Sequence, residues 1–150
     1  MAEIAVNFLL NQLTLMLREE LKLLVGGSWK EVEYIREELE RTRAFLRVAD
    51  AMEDSDPELH VWVKQVRDVA YYTEDVIDEF MLWFSHHHFY SAFCNIFCYI
   101  KNLKARRRIS SHIRRIRSRV DNISKGHRRY LHKYSTTSKQ GSNSTVVNDR

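Results

Sequence analysis

Between Asp56 and Phe84 the sequence repeats a single interval. Leu59, Val63, Val66, Ala70, Thr73, Ile77, Phe80 and Phe84 follow one another at alternating steps of four and three. That spacing puts every one of them on one face of a helix and on neither face of a strand. Asp56 precedes the run as an N-cap, and Pro57 occupies the first helical position, where its missing N–H costs nothing. The same rhythm recurs elsewhere. Val32, Ile35, Leu39, Thr42, Leu46 and Ala49 form a seam behind Ser28-Trp29-Lys30-Glu31, which reads as a capping box. Ile109, Ile113, Ile116, Val120, Ile123, His127, Tyr130 and Tyr134 form another behind Arg106-Arg107-Arg108, with Gly126 inside it at an expected cost of about 1 kcal/mol relative to Ala.

The N-terminal segment is different. From Ala2 to Val25 its polar residues Asn7, Asn11, Thr14, Arg18 and Lys22 make one narrow stripe on a helix that is otherwise apolar, and Gly26-Gly27 ends it. No segment sustains period-two alternation, so the chain is all-α. Seam width decides between two packings. A strict stripe suits a coiled coil with a partner, whereas the extra apolar residues Phe45, Val48, Met52, Trp62 and Val69 suit a closed core. The expectation is a four-helix bundle of antiparallel helices over residues 1–134. Its fourth helix is expected to be broken near 101–108, with a loop at His86-His87-His88. A Ser/Thr/Asn/Gly-rich tail or linker is expected over 135–150. Heptad seams serve a monomeric bundle and an exchanged dimer alike, so self-association stays open.

Charge is distributed unevenly. Residues 1–80 carry a net −9, residues 81–134 a net +12, and the whole chain +4. Either the two parts attract each other or the basic part meets phosphate. The basic face comprises Arg106, Arg107, Arg108, Arg114, Arg115, Arg117 and Arg119. A basic helix alone is a weak signal for nucleic acid, and nucleic acid is not an expected partner. Two cysteines do not make a disulfide framework and fit a reducing compartment. The uncharged run Ile4–Leu17 is shorter than the ~20 apolar residues of a membrane span, has no basic segment before it, and follows Ala2 rather than a myristoylated glycine.

Catalytic signatures are missing from the sequence. It has no phosphate-cradling glycine loop, no HExxH, no paired Cys-x-x-Cys and no nucleophile elbow, so no catalytic residues are assigned and no enzyme is expected. His86, His87 and His88 with Cys94 and Cys98 either ligate zinc or form a His-rich turn beside two buried thiols; no metal site is assigned. Most informative are Glu74, Asp75, Asp78 and Glu79, placed at i, i+1, i+4 and i+5 on one helix face, with Ile77 and Phe80 turned to the core. No Lys or Arg lies between Arg67 and Lys101, so these acids are either plain solvated surface or half of a docking site for arginines elsewhere.

Glu74-Asp75-Val76-Ile77-Asp78 reads EDVID. It resembles the hallmark of the N-terminal coiled-coil (Rx N-terminal type) domain of plant nucleotide-binding, leucine-rich-repeat disease resistance proteins. Trp62, Arg67, Ala70 and Tyr71 are similar to the W-x-x-x-x-R-x-x-A-Y stretch that leads into it, and Met1-Ala2-Glu3 with Val6, Phe8, Leu13, Leu17 and Glu19 resembles the family's MADA-type start. The resemblance implies a cytoplasmic signalling and oligomerisation domain that triggers defence and hypersensitive cell death. It implies EDVID acids (Glu74 to Asp78) docked on arginines of the repeat domain at rest. On activation it implies a ring whose first helices enter the plasma membrane as a cation-permeable funnel. The inserting residues would be Ile4, Val6, Phe8, Leu9, Leu10, Leu13 and Leu17, with Asn7, Asn11 and Thr14 lining the pore. Relatives often carry an acid one turn after the motif's Phe; here Asn11 and Gln12 stand there. The partners implied are the repeat and nucleotide-binding domains, a second copy, a guarded host or decoy protein, and the membrane surface. ADP or ATP would belong to the nucleotide-binding module, and no cofactor to this chain. The other reading is a helical adaptor that binds a host protein or effector without entering a membrane.

Overall fold

The computed structural model describes residues 1–18, 26–88 and 97–140, with side chains at 1–18, 27–82 and 103–133. Four α-helices carry them: α1 (Ala2–Met16), α2 (Trp29–Met52), α3 (Pro57–His88) and α4 (Phe97–Gln140), with a 3-10 turn at Gly26–Ser28 before α2. No strand occurs among the described residues. The chain is an all-α helical bundle.

Cross-helix pairs fix the direction of each helix. The Met1 ammonium and Glu3 meet Asp50 and Arg47 at the end of α2, so α1 and α2 run in opposite senses. Glu79 meets Arg108, Tyr72 meets His112, and Asp56 and Glu58 meet Lys133, so α3 and α4 also oppose. Ser28 with Ser110, Glu31 with Arg117 and Tyr34 with Asp121 advance together, which makes α2 and α4 parallel. Consecutive helices are thus antiparallel, but the outer helices α1 and α4 each pack on both α2 and α3 and barely touch one another. They flank the α2–α3 pair from opposite sides.

The seams form the core as expected. Val32, Ile35, Leu39, Thr42, Leu46 and Ala49 are buried, as are Leu59, Val63, Val66, Ala70, Thr73, Ile77 and Phe80, and Ile109 to Ile123 at the same spacing. Trp62 and Val69 join them, Phe45 and Met52 pack at the edge, and Val48 is exposed. Asp56 Oδ1 accepts from the Glu58 and Leu59 amides at 3.0 and 3.3 Å, the cap its position implies. Among the seam residues only Phe84 and Tyr134 have side chains outside the described set.

Several boundaries differ from expectation. α1 stops at Met16, with Leu17 and Arg18 in a turn; 19–25 lie outside the described residues. The acids Glu19 and Glu20 follow in sequence, and negative charge opposes the dipole at a helix C-terminus. Ser28 makes no capping bond and instead donates to Ser110 Oγ at 2.8 Å, so there is no capping box with Glu31. α3 continues through His86, His87 and His88 where a loop was expected, because neither Gly nor Pro interrupts it. α4 is unbroken across 101–108. Lys, Leu, Ala and Arg are good helix formers, and like-charge repulsion at i,i+4 costs only a few tenths of a kcal/mol. It also runs six residues into the expected tail, to Gln140; 141–150 lie outside the described residues. The His–Cys group falls on residues whose side chains are likewise outside them.

Gly126 is a packing requirement. A Cβ there would sit 2.7 Å from Trp62 Cδ1 and 2.9 Å from Nε1. The indole fills the space above the glycine and donates from Nε1 to the Ile123 carbonyl at 3.0 Å.

Candidate functional site

α1 carries two apolar faces. One, made of Ala2, Val6, Leu9, Leu10, Leu13 and Met16, is core. The other, Ile4, Phe8 and Leu15, follows the outer side at i, i+4 and i+11 and is 68%, 50% and 47% exposed. Of the seven residues that the resemblance assigns to membrane insertion, Val6, Leu9, Leu10 and Leu13 therefore hold the bundle together. Ile4 and Phe8 face outward, and Leu17 is half-buried beyond the helix end. Asn11 and Thr14 lie on the exposed side and Asn7 at its margin; the Thr14 hydroxyl donates back to the Leu10 carbonyl at 2.8 Å.

One residue that sequence reasoning missed ties α1 down. Asp50, near the end of α2, accepts from the Met1 ammonium at 2.8 Å and from the Ala2 and Glu3 amides at 3.2 and 3.0 Å. A carboxylate from a neighbouring helix thus caps α1, satisfying free N–H groups and complementing the positive end of its dipole. Burial works to raise this carboxyl, but the Glu3 amide, the ammonium and the Ala2 amide outweigh it and hold it below the usual aspartate range. Asp50 follows Val48 and Ala49 near the end of α2 and belongs to no local motif, so only the tertiary pairing reveals its role.

The EDVID stretch splits by face. Val76 and Ile77 are buried, Glu74 is half-buried, and Asp75 and Asp78 are exposed. Glu79 turns toward α4 and pairs with Arg108 at 3.2 Å, so the four acids do not form one common face. Glu74, Asp75 and Asp78 have no cation within 4 Å among the described residues.

The basic face of α4 is exposed throughout, at Arg106, Arg107, Arg108, Arg114, Arg115 and Arg117. Part of it answers the acidic half of the chain, through Arg108–Glu79, Arg117–Glu31 at 3.7 Å, and Lys133 with Asp56 and Glu58 at 3.5 and 3.6 Å. Arg117 and Arg119 also lie over the Tyr34 and Tyr72 rings at 4.8 and 5.0 Å.

Glu38 is a second residue without a sequence signal. It is buried, accepts from the Ser124 hydroxyl and from Arg41, and links α2 to α4. Near it His127 packs on Phe45 and Trp62 with ring centroids at 5.0 and 6.1 Å. Burial and then Arg128 lower its imidazole below the ordinary value, against the pull of Glu38. The geometry offers surfaces: an apolar ridge on α1, an acidic one on α3 and a basic one on α4.

Comparison with known proteins places the chain in a family. The chain is 39% identical over 82 residues to the disease resistance protein PIK6-NP of Oryza sativa subsp. japonica, and 35% identical over 82 residues to Pik-2 and Pikm2-TS of the same plant. Each alignment covers 53% of this chain and 8% of the relative, so the chain matches less than a tenth of the length of these proteins. No solved structure matches it. The family model described as the Rx N-terminal domain matches residues 5–119, from the first turn of α1 to the middle of α4 and across the whole EDVID stretch. The chain belongs to the Rx N-terminal domain family, the coiled-coil type found in plant disease resistance proteins.

Proposed function

We propose that this chain is the signalling and oligomerisation domain of a plant intracellular immune receptor, and that its first helix acts at the plasma membrane. The observation that carries the reading is the outer ridge of α1. Ile4, Phe8 and Leu15 are large apolar side chains left in water on a helix whose other face already completes the core. A helix of this kind lies in a membrane interface by burying its outer face, or joins copies of itself. The Asp50 cap holds α1 in the bundle until activation frees it. Asp75 and Asp78, exposed and without a cation among the described residues, suit docking on arginines of the repeat domain of the same receptor, which keeps the resting state closed. ADP or ATP exchange in the nucleotide-binding module, outside this chain, and a guarded host protein or decoy upstream, complete the switch. The resting protein is cytoplasmic and becomes peripheral to the plasma membrane on activation. The chain itself works without catalysis.

A second reading is favoured by one fact. Among the described residues no helix is long and apolar enough to cross a membrane, and α1, at about 22 Å, is shorter than the ~30 Å hydrocarbon layer. On that reading the domain is an adaptor, and the α1 ridge binds a host protein. Dye release from vesicles of plasma-membrane-like lipids separates the two. Release by the chain that Phe8→Glu abolishes supports the membrane role; intact vesicles at every protein concentration support the adaptor.

A further inference from the structure

The cations of α4 differ in their partners. Arg108, Arg117 and Lys133 reach the acids of α2 and α3, and Arg119 covers Tyr72. Arg106, Arg107, Arg114 and Arg115 do not: they are exposed and make no ion pair among the described residues. Arg107, Ser111, Arg114 and Ser118 follow at four, three and four, a ridge on the side of α4 opposite its Ile109–Ile113–Ile116 seam. α3 carries the complement. Tyr71, Asp75, Asp78 and Leu82 follow at the same steps, opposite the Thr73–Ile77–Phe80 seam, with Tyr71 and Leu82 more than half exposed.

The two ridges stand at the same height. Glu79 meets Arg108 and Tyr72 meets His112 at 2.6 Å, so Asp75 and Asp78 lie level with the stretch between Arg107 and Arg114. A two-fold axis parallel to α3 and α4 would lay α3 of one copy over α4 of another with heights preserved. The acids of one copy would then stand level with the arginines of the other, twice over, within the reach of long arginine side chains.

We propose that the chain pairs with a second copy of itself through these ridges, Asp75 and Asp78 of each copy against Arg107 and Arg114 of the other, with Tyr71 and Leu82 closing the ends. An anionic membrane suits the arginine ridge less well. α4 and α1 flank the α2–α3 pair from opposite sides, so a membrane held by α4 would leave the apolar ridge of α1 pointing away from it. The pairing names the surface for the self-association included in the proposed function. It uses the acids that the docked repeat domain would cover, so docking and pairing exclude one another.

Sedimentation equilibrium of the 150-residue chain tests it. The chain should dimerise at about 30 mM salt, with its dissociation constant rising about tenfold or more by about 500 mM as screening shortens the reach of the charges. Asp75→Arg/Asp78→Arg and Arg107→Glu/Arg114→Glu, checked for unchanged helicity by circular dichroism, should each be monomeric alone and should form a heterodimer when mixed. A chain that stays monomeric at low salt, or a dimer indifferent to both variants, overturns the pairing. So does an arginine variant whose only loss is binding to phosphatidylserine vesicles. If the chain is monomeric but the Asp variant loses the repeat domain, the pairing falls and the docking reading stands.

Discussion

Gly126→Ala sets helix propensity against packing. Inside an exposed helix the change stabilises by about 1 kcal/mol. Here the new methyl would stand 2.7 Å from Trp62 Cδ1, where carbon atoms settle at about 3.5–4.0 Å, so the indole must retreat by close to an ångström. Its neighbours resist that movement. Trp62 is 3% exposed, its ring packs on Phe45 at 5.4 Å and on Tyr130 at 6.1 Å, and its Nε1 is bonded to the Ile123 carbonyl. Overpacking of this kind costs about 1–3 kcal/mol, and straining the hydrogen bond about 0.5–1.5 more. Set against the propensity gain, a net destabilisation of about 0.5–3.5 kcal/mol is expected. Urea unfolding followed by circular dichroism and tryptophan fluorescence measures it. A second cycle with Trp62→Phe checks the cause, since Gly126→Ala should cost markedly less when the smaller ring is present. A variant as stable as the parent or more so would refute the contact.

Ile77→Ala should cost about 2–5 kcal/mol through a core cavity, whereas Asp75→Ala/Asp78→Ala should leave the unfolding midpoint within about 0.5 kcal/mol and weaken co-precipitation with the repeat domain; a mild Ile77→Ala would put the α3 seam on the wrong face. Stability should also fall with acidification, in two places. The folded His127 binds its proton less readily than the unfolded chain does, so its contribution is complete above the ordinary value of 6.5 and is lost as pH falls through the lower folded value. Asp50 behaves alike below its ordinary 3.8, since the unfolded carboxyl protonates first. Denaturation midpoints against pH should lose the upper step in His127→Phe and shrink in the lower one in Asp50→Asn; unchanged profiles in both variants would contradict these assignments.

What was legible in the sequence was what repeats. The four-three rhythm predicted the core positions of α2, α3 and α4, because burial selects one face and the helix period places it. The Asp56-Pro57 start was legible because that cap is local. What escaped depends on residues distant in the chain. Asp50 caps α1 from α2, Ser28 turns to Ser110 instead of its own helix, Glu38 is satisfied by Ser124, and Gly126 makes room for Trp62. Helix continues where a loop or break is expected, at His86–His88 and across 101–108, because no Gly or Pro enforces a stop there. On α1 a nearly all-round apolar surface hid which face was core. The fold separates Leu13, which is buried, from Phe8, which is not.

That separation gives the most direct test of the signalling role of α1. Ile4→Glu/Phe8→Glu changes only the outer ridge, and each acid would oppose membrane burial by several kcal/mol while costing the bundle little. Expressed in leaf tissue within the full receptor, in a form that signals constitutively, this variant should accumulate to the parent level and fail to trigger cell death. Leu13→Glu should instead fail to accumulate, because it places a charge in the core. Cell death undiminished in Ile4→Glu/Phe8→Glu at equal protein level would contradict the account.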